Sequence, residues 1–155
     1  MTAIQVRPAT LADLPVVAAL FDSYRQFYEQ SPALEAATRF IRARMEYGES
    51  TILVAEDTAV KATSPFGFCQ LYPSFCSVEM VPIFVLYDLF VTPAARGAGA
   101  GKALLLAAHD HATAQGAKRL DLTTAKTNHT AQALYESLGW VRDEVFYAYN
   151  LRVKA

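Results

Sequence analysis

Three of the seven glycines of this chain lie within residues 97–101, between a predicted strand and a predicted helix. The apolar run at residues 83–91 predicts the strand, and the run at residues 103–108 predicts the helix. Glycines let the backbone approach a ligand with no Cβ in the way. The helix start adds unpaired N–H groups and the positive end of a dipole. The sequence therefore predicts a site for phosphate or pyrophosphate, with Arg96 and Lys102 adding positive charge at its ends.

The spacing of these glycines excludes two well-known phosphate loops. A P-loop requires G-x-x-x-x-G-K-[ST], but Ala103 follows Lys102, and Arg96 stands where the first glycine belongs. A dinucleotide fingerprint requires G-x-G-x-x-G after a first strand, whereas this chain has G-x-G-x-G far along its length. The loop therefore belongs to neither of these two classes of phosphate loop.

The pattern Arg-x-x-Gly-x-Gly at residues 96–101 resembles the pyrophosphate loop of the GNAT superfamily of acyl-CoA-dependent N-acetyltransferases. The resemblance implies that the preceding strand binds the pantetheine arm of acetyl-CoA through its main chain, in the manner of an added strand. The implied cofactor-binding residues of strand and loop are Leu89, Phe90, Val91, Arg96, Gly97, Ala98, Gly99, Ala100, Gly101 and Lys102.

A second motif at residues 128–140 is similar to the family segment Asn-x-x-Ala-x-x-Leu-Tyr-x-x-x-Gly-aromatic. Its spacing predicts a short helix, with Asn128 or Thr127 as N-cap and Gly139 at the C-terminus. The resemblance implies that Asn128 and Tyr135 contact the cofactor. It also implies that Tyr135 protonates the departing thiolate as a general acid. One face of the helix carries Ala131, Leu134, Tyr135 and Leu138.

The general base does not follow from the resemblance. Polyamine acetyltransferases of the family carry a glutamate just before an Asp-x-Phe-Val segment, and this chain has Tyr87 there. Asp88, Glu79 and Tyr87 are the candidates for the base, acting directly or through water. Asp88 is the catalytic candidate we retain, although an aspartate here can also hold a strand bulge in place.

The rest of the chain has the periodicity of an α/β (α+β mixed) protein. The order β-α-α-β-β-β-α-β-α-β matches the GNAT fold, a mixed, mostly antiparallel sheet with helices on both faces, in a single domain spanning residues 1–155. Residues 56–64 are expected to form a hairpin turn and residues 73–81 a connection. Strands are predicted at 3–7, 51–55, 65–72, 83–91 and 120–124, with one or two more in 141–153, and helices at 10–28, 33–47 and 99–115 and within 128–140.

Composition limits the possible partners and the compartment. With 155 residues, 53% hydrophobic and 19% charged, the chain is globular, and its net charge of −1 does not favour nucleic acid. No apolar run has membrane-spanning length, and no signal segment is evident, so the cytoplasm is expected. Cys69 and Cys76 lack zinc spacing and are expected to be reduced. His109 and His111 lie two apart on a helix, so we expect surface roles and no metal.

The resemblance implies transfer of an acetyl group from acetyl-CoA to a primary amine, by direct attack in a ternary complex. The acceptor classes are a polyamine, a lysine-like small molecule or a protein lysine. Two alternatives remain open: a non-catalytic acyl-CoA sensor and an unrelated nucleotide-binding protein. A homodimer is expected, because residues 144–151 alternate like an edge strand that needs covering. The predicted acceptor-binding residues are Tyr28, Tyr72 and Tyr87, with Tyr24, Phe27 and Phe75 as further aromatic candidates.

Overall fold

The structure, a computed structural model, describes residues 3–61 and 63–154. Residue 62, in the predicted turn at 56–64, lies outside the described residues. The strands are β1 (Ile4–Pro8), β2 (Thr51–Asp57), β3 (Gly67–Cys76), β4 (Val81–Val91) and β5 (Leu120–Asp121). The helices are α1 (Leu14–Phe27), α2 (Leu34–Glu46), α3 (Ala100–Ala114) and α4 (His129–Ser137).

The strands form one sheet in the order β1-β2-β3-β4-β5. The pairs from β1 to β4 are antiparallel, and β4 pairs with β5 in parallel. A parallel pair requires a long crossover, and α3 provides it between β4 and β5. The predicted mixed, mostly antiparallel sheet is confirmed.

Helices cover both faces of the sheet. Because side chains alternate along a strand, four consecutive buried residues of β2, from Ile52 to Ala55, require cover on each side. On one face, Leu14, Val17 and Leu20 of α1 and Ile41 of α2 join a core cluster with Ile52, Val54, Phe68 and Phe90 of the strands. The other face is covered by α3, which buries Leu104, Leu105 and Ala108.

The hairpin of β3 and β4 is longer than the sequence predicts. The prediction of a connection at residues 73–81 is wrong, because β3 continues to Cys76 and β4 begins at Val81. Proline predicts a break at residue 73, but β2 pairs with β3 only as far as Leu71, so in the part of the chain that the structure describes no strand pairs with Pro73 on that side. Proline is tolerated on an edge, where its missing N–H breaks no ladder.

The prediction of strands within residues 141–153 is also wrong. No strand follows β5 among the described residues up to 154. The side chains alternate as in a strand, but a strand also requires a partner backbone for its N–H and C=O groups. Alternation alone does not supply that partner.

The chain divides into two compact units, the first ending at Thr123 and the second beginning at Thr124. The first unit contains the whole sheet with α1, α2 and α3, and the second contains α4. No helix in the described part of the chain combines the length and apolarity needed to cross a membrane.

Candidate active site

The glycine loop connects β4 to α3 and depends on backbone freedom. A short 3-10 turn, Pro93–Ala95, follows β4, and α3 begins at Ala100. Gly97 has φ +85 and Gly99 has φ +90. A Cβ at either position would meet no atom within 4 Å, so lack of space does not explain these glycines. They are required because other L-residues rarely adopt this backbone conformation.

The N-terminus of α3 has no side-chain cap. Gly99 is the N-cap residue, and Ala103 N–H donates to its carbonyl at 3.0 Å in the first helical turn. The N–H groups before Ala103, at residues 100–102, therefore lack intrahelical acceptors. Together with the dipole of α3, they form a site suited to an anion.

Arg96 places positive charge where β4 meets the glycine loop. Its Nε donates to the Val91 carbonyl at 2.9 Å. Its guanidinium carbon lies 5.5 Å from the centre of the Phe90 ring and 5.9 Å from that of Phe27. These contacts orient Arg96 toward the end of β4.

One edge of β4 is open beside this loop. β4 pairs with β5 only at Phe84↔Leu120 and Val85↔Asp121. In the part of the chain that the structure describes, residues 86–91 have no strand partner on that edge. The family resemblance implies that this strand diverges from the next one, and the short pairing of β4 with β5 confirms it. The side chain of Phe90 belongs to the core, so Phe90 can offer a ligand only its main chain.

A β-bulge in β4 precedes the open segment. Gln70 pairs with Asp88 and Leu71 with Leu86, so Tyr87 is the extra residue. The bulge leaves Tyr87 exposed and Asp88 buried. Burial raises the pKa of the Asp88 carboxyl to about 6, and a hydrogen bond from Gln70 opposes that rise. A carboxyl with such a pKa can accept a proton near neutral pH.

Tyrosines surround this bulge. Tyr24 of α1 donates its hydroxyl to the Tyr87 carbonyl at 3.0 Å. The rings of Tyr72 and Tyr87 meet edge to face at 5.6 Å. Burial, together with the charge of Asp88, raises the pKa of Tyr72 to about 12, so its hydroxyl stays neutral. Tyr28 contacts this group of tyrosines by way of Tyr24: the centres of the two rings lie 5.1 Å apart.

The second unit contains the other predicted motif. Asn128 is the N-cap of α4, its Oδ1 accepting from the Ala131 N–H at 3.2 Å. Gly139 follows the helix with φ +91. Tyr135 and Trp140 have ring centres 6.0 Å apart. The predicted helix and both of its ends are confirmed, while the catalytic role of Tyr135 stays a prediction.

The remaining candidates differ in their surroundings. Glu79 forms an ion pair with Arg119 at 3.5 Å, and both are exposed. The surface role expected for His111 is wrong, because its Nε2 lies 3.0 Å from the Thr51 hydroxyl and its ring packs against Phe84. Both cysteines are free. Among the described residues, no three His, Cys, Asp or Glu side chains are grouped to hold a metal ion.

Sequence reasoning missed Gln70. This side chain is fully buried and contacts Asp88 across the sheet. The available signal was a polar amide inside the apolar run at residues 68–72. That signal indicates a buried polar contact but does not identify the partner.

The family follows from comparison with known proteins. A family model described as the acetyltransferase (GNAT) family matches residues 17–140. The chain belongs to this family and is a GNAT N-acetyltransferase. The alternative of an unrelated nucleotide-binding protein is therefore excluded.

Two relatives and two solved structures illustrate the relationship. The chain is 45% identical to an uncharacterized N-acetyltransferase of Bacillus subtilis (strain 168), covering 98% of this chain and 99% of that protein. It is 30% identical to a probable acetyltransferase of Haemophilus influenzae (strain ATCC 51907 / DSM 11121 / KW20 / Rd), covering 76% and 79%. A crystal structure of a probable acetyltransferase superposes with TM-score 0.88 at 34% identity, covering 97% and 99%. An aminoglycoside N-acetyltransferase in complex with CoA shares the fold, with TM-score 0.80, 18% identity and coverage of 99% and 97%.

Proposed function

We propose that this protein transfers an acetyl group from acetyl-CoA directly to a primary amine in a ternary complex. The observation that carries the proposal is the arrangement along β4. The strand holds a buried carboxylate, Asp88, then exposes an open edge and leads into the glycine loop. One continuous segment thus supplies a base candidate, a main-chain edge and an anion site.

The residues of the loop fit the cofactor's pyrophosphate. Gly97 and Gly99 present backbone without side chains, and the uncapped start of α3 supplies N–H donors. Arg96 and Lys102 add positive charge to balance the phosphates. Residues 89–91 offer main-chain groups for the pantetheine arm. In the second unit, Asn128 and Tyr135 are the proposed cofactor contacts, on the strength of the family motif.

The chain's residues then have two proton tasks. Acetyl-CoA supplies the activated thioester carbonyl. Asp88, deprotonated above its pKa of about 6, accepts a proton from the acceptor ammonium, directly or through water. A backbone N–H of β4 polarises the carbonyl in the manner of an oxyanion hole. Tyr135 donates its hydroxyl proton to the departing thiolate.

The acceptor is proposed to be a cationic amine: a polyamine, a lysine-like small molecule or a protein lysine. Tyr72 and Tyr87 form an aromatic pair beside the Asp88 carboxylate, and Tyr28 packs against the same group through Tyr24. Aromatic faces and a nearby carboxylate attract an ammonium group. This side of the bulge is therefore the proposed acceptor site.

We further propose that both units form one catalytic domain, since the family model spans their boundary. Free cysteines favour a reducing compartment, the cytoplasm. A homodimer is proposed because the second unit exposes a run of apolar side chains. Light scattering that shows a monomer at micromolar concentration would overturn the dimer. The exposed side chains are Val141, Val145, Phe146, Tyr147, Tyr149, Leu151 and Val153.

The first test measures CoA thiol release from acetyl-CoA with polyamines, lysine analogues, aminoglycosides and lysine-containing peptides. Release with one class would establish turnover and identify the acceptor class. Tight binding of acetyl-CoA without release from any amine would favour the sensor.

A Tyr135→Phe variant separates enzyme from sensor. In the enzyme, loss of the proton donor should lower kcat by about 10²–10⁴-fold while acetyl-CoA binding is retained. Tyr147→Phe, which changes an exposed tyrosine of the same unit, is the matched control. Equal activity of both variants would remove Tyr135 from the mechanism.

A further inference from the structure

A buried network of polar side chains links neighbouring strands of the sheet, from the start of β2 through β3 to β4. It consists of Ser50, just before β2, Gln70 of β3 and Asp88 of β4. Gln70 is 0% exposed and Asp88 is 4% exposed. Buried polar groups are costly unless they are paired, so a network in this position demands an explanation.

The network fixes which way the Gln70 amide faces. The Ser50 hydroxyl donates to Gln70 Oε1 at 2.7 Å. The amide nitrogen, Nε2, consequently faces β4 and donates to Asp88 Oδ2. Gln70 and Asp88 are register partners, and the bulge begins immediately afterwards. The sheet register therefore sets the distance, and Ser50 sets the orientation.

Only one carboxylate oxygen is used by this network. Oδ2 accepts the hydrogen bond from Gln70 Nε2, and Oδ1 is the other oxygen of the same carboxylate. A hydrogen bond to the charged form also favours ionisation, against the effect of burial. We propose that Ser50 and Gln70 are positioning residues that orient Asp88, so that Oδ1 is directed to the acceptor ammonium. This inference rests on the proposed function, in which Asp88 is the base.

Other titratable groups act on the same carboxyl and must be considered. From β3, the thiol of Cys69 and the hydroxyl of Tyr72 both interact with the Asp88 charge. Tyr72 also interacts with Tyr87 of β4, with Arg44 of α2 and with Glu49. Of these, the arginine and the glutamate carry opposite charges and form an ion pair with each other at 3.3 Å. Gln70 acts on Asp88 directly, through a side-chain hydrogen bond that lowers the carboxyl pKa.

The test combines two measurements on the full chain. The first is the pKa of the Asp88 carboxyl, followed by carbon-13 NMR and assigned with Asp88→Asn. The second is the pH profile of kcat/KM with the acceptor found by the amine panel. Gln70→Leu should raise both the carboxyl pKa and the acidic limb by about one pH unit, because it removes a donor to the charged form. Ser50→Ala should shift both in the same direction by less.

Val54→Ala is the control, because it disturbs the same core without touching the network. Val54→Ala should lower thermal stability but leave unchanged both the NMR pKa of Asp88 and the acidic limb of the kcat/KM profile. Ser50→Ala changes one hydroxyl at the edge of the network, and it keeps the test valid if Gln70→Leu does not fold.

The two possible failures are distinguishable. If Asp88→Asn abolishes the acidic limb but neither Gln70→Leu nor Ser50→Ala moves it, the positioning role is wrong and the proposed base stands. If Asp88→Asn leaves the limb in place, Asp88 is not the base, and the inference falls with it. The NMR titration then still reports whether Gln70 bonds the carboxylate.

Discussion

The glycine loop and the polar network lie at neighbouring parts of β4 but are built in opposite ways. The loop offers backbone: two glycines with positive φ and an uncapped helix start. The network offers side chains: Ser50, Gln70 and Asp88, brought together from three places in the chain. A backbone site depends on φ angles and on charge, so a single substitution should weaken ligand binding only in part. A buried side-chain site depends on one proton, so one change can abolish its chemistry.

The largest effect is expected at the network. Asp88→Asn removes the proposed base and should lower kcat/KM by about 10²–10⁴-fold at pH 7, with acetyl-CoA binding unchanged. In the wild type, kcat/KM should fall about tenfold per pH unit below the Asp88 pKa of about 6, because a protonated base cannot act. Steady-state rates between pH 5 and 9 measure both effects. Asp110→Asn, at an exposed site of α3, should be silent.

The same substitution should stabilise the protein at neutral pH. The pKa of Asp88 in the folded protein, about 6, exceeds the usual aspartate value of 3.8, so the folded state binds this proton more tightly than the unfolded state does. The contribution of Asp88 to the free energy of unfolding therefore falls by about 3 kcal/mol as pH rises from about 4 to about 6. Asp88→Asn removes this cost, and its gain in thermal stability should be larger at pH 7 than at pH 4. A variant that is less stable at both pH values would contradict the burial argument.

At the glycine loop a smaller effect is expected. Gly99→Ala forces alanine to φ +90, which costs about 1–2 kcal/mol, and should weaken CoA binding about tenfold by calorimetry. Gly116→Ala is a matched control, since Gly116 follows the other end of α3 with φ +77 and similarly open space. Both variants should lose similar stability, and only Gly99→Ala should lose affinity. Equal CoA affinity in the two variants would argue against an anion site at the start of α3.

Lys102→Ala should have the smallest effect. Lys102 is exposed in the first turn of α3, and an exposed ion pair contributes about 1 kcal/mol or less. CoA should bind a few-fold more weakly, and the difference should shrink in high salt. Lys118→Ala, beyond the other end of α3, removes the same charge without approaching the loop. An effect at Lys118 as large as at Lys102 would indicate long-range attraction instead of contact.

The contrast between the loop and the network also explains which features could be predicted from the sequence. The glycine loop, the start of α3, the N-cap Asn128 and the terminal Gly139 are local features, and the structure confirms each. Gln70 was missed because its role depends on Asp88, which lies 18 residues away in sequence. The strands expected within residues 141–153 failed for the same reason, since pairing depends on a distant backbone.

The sequence by itself determined the order of elements from β1 to α4, the position of the glycine loop and the residue types available for catalysis, because these follow from periodicity and from glycine's conformational freedom. Only the tertiary structure decided which candidate base is buried. Asp88, Glu79 and Tyr87 are all capable of proton transfer, but the bulge opposite Gln70 places Asp88 in the core and leaves Tyr87 exposed. Glu79 is exposed in the turn between β3 and β4. The physical reason is desolvation: burial shifts the pKa of a carboxyl toward neutrality, and burial is a property of the folded sheet.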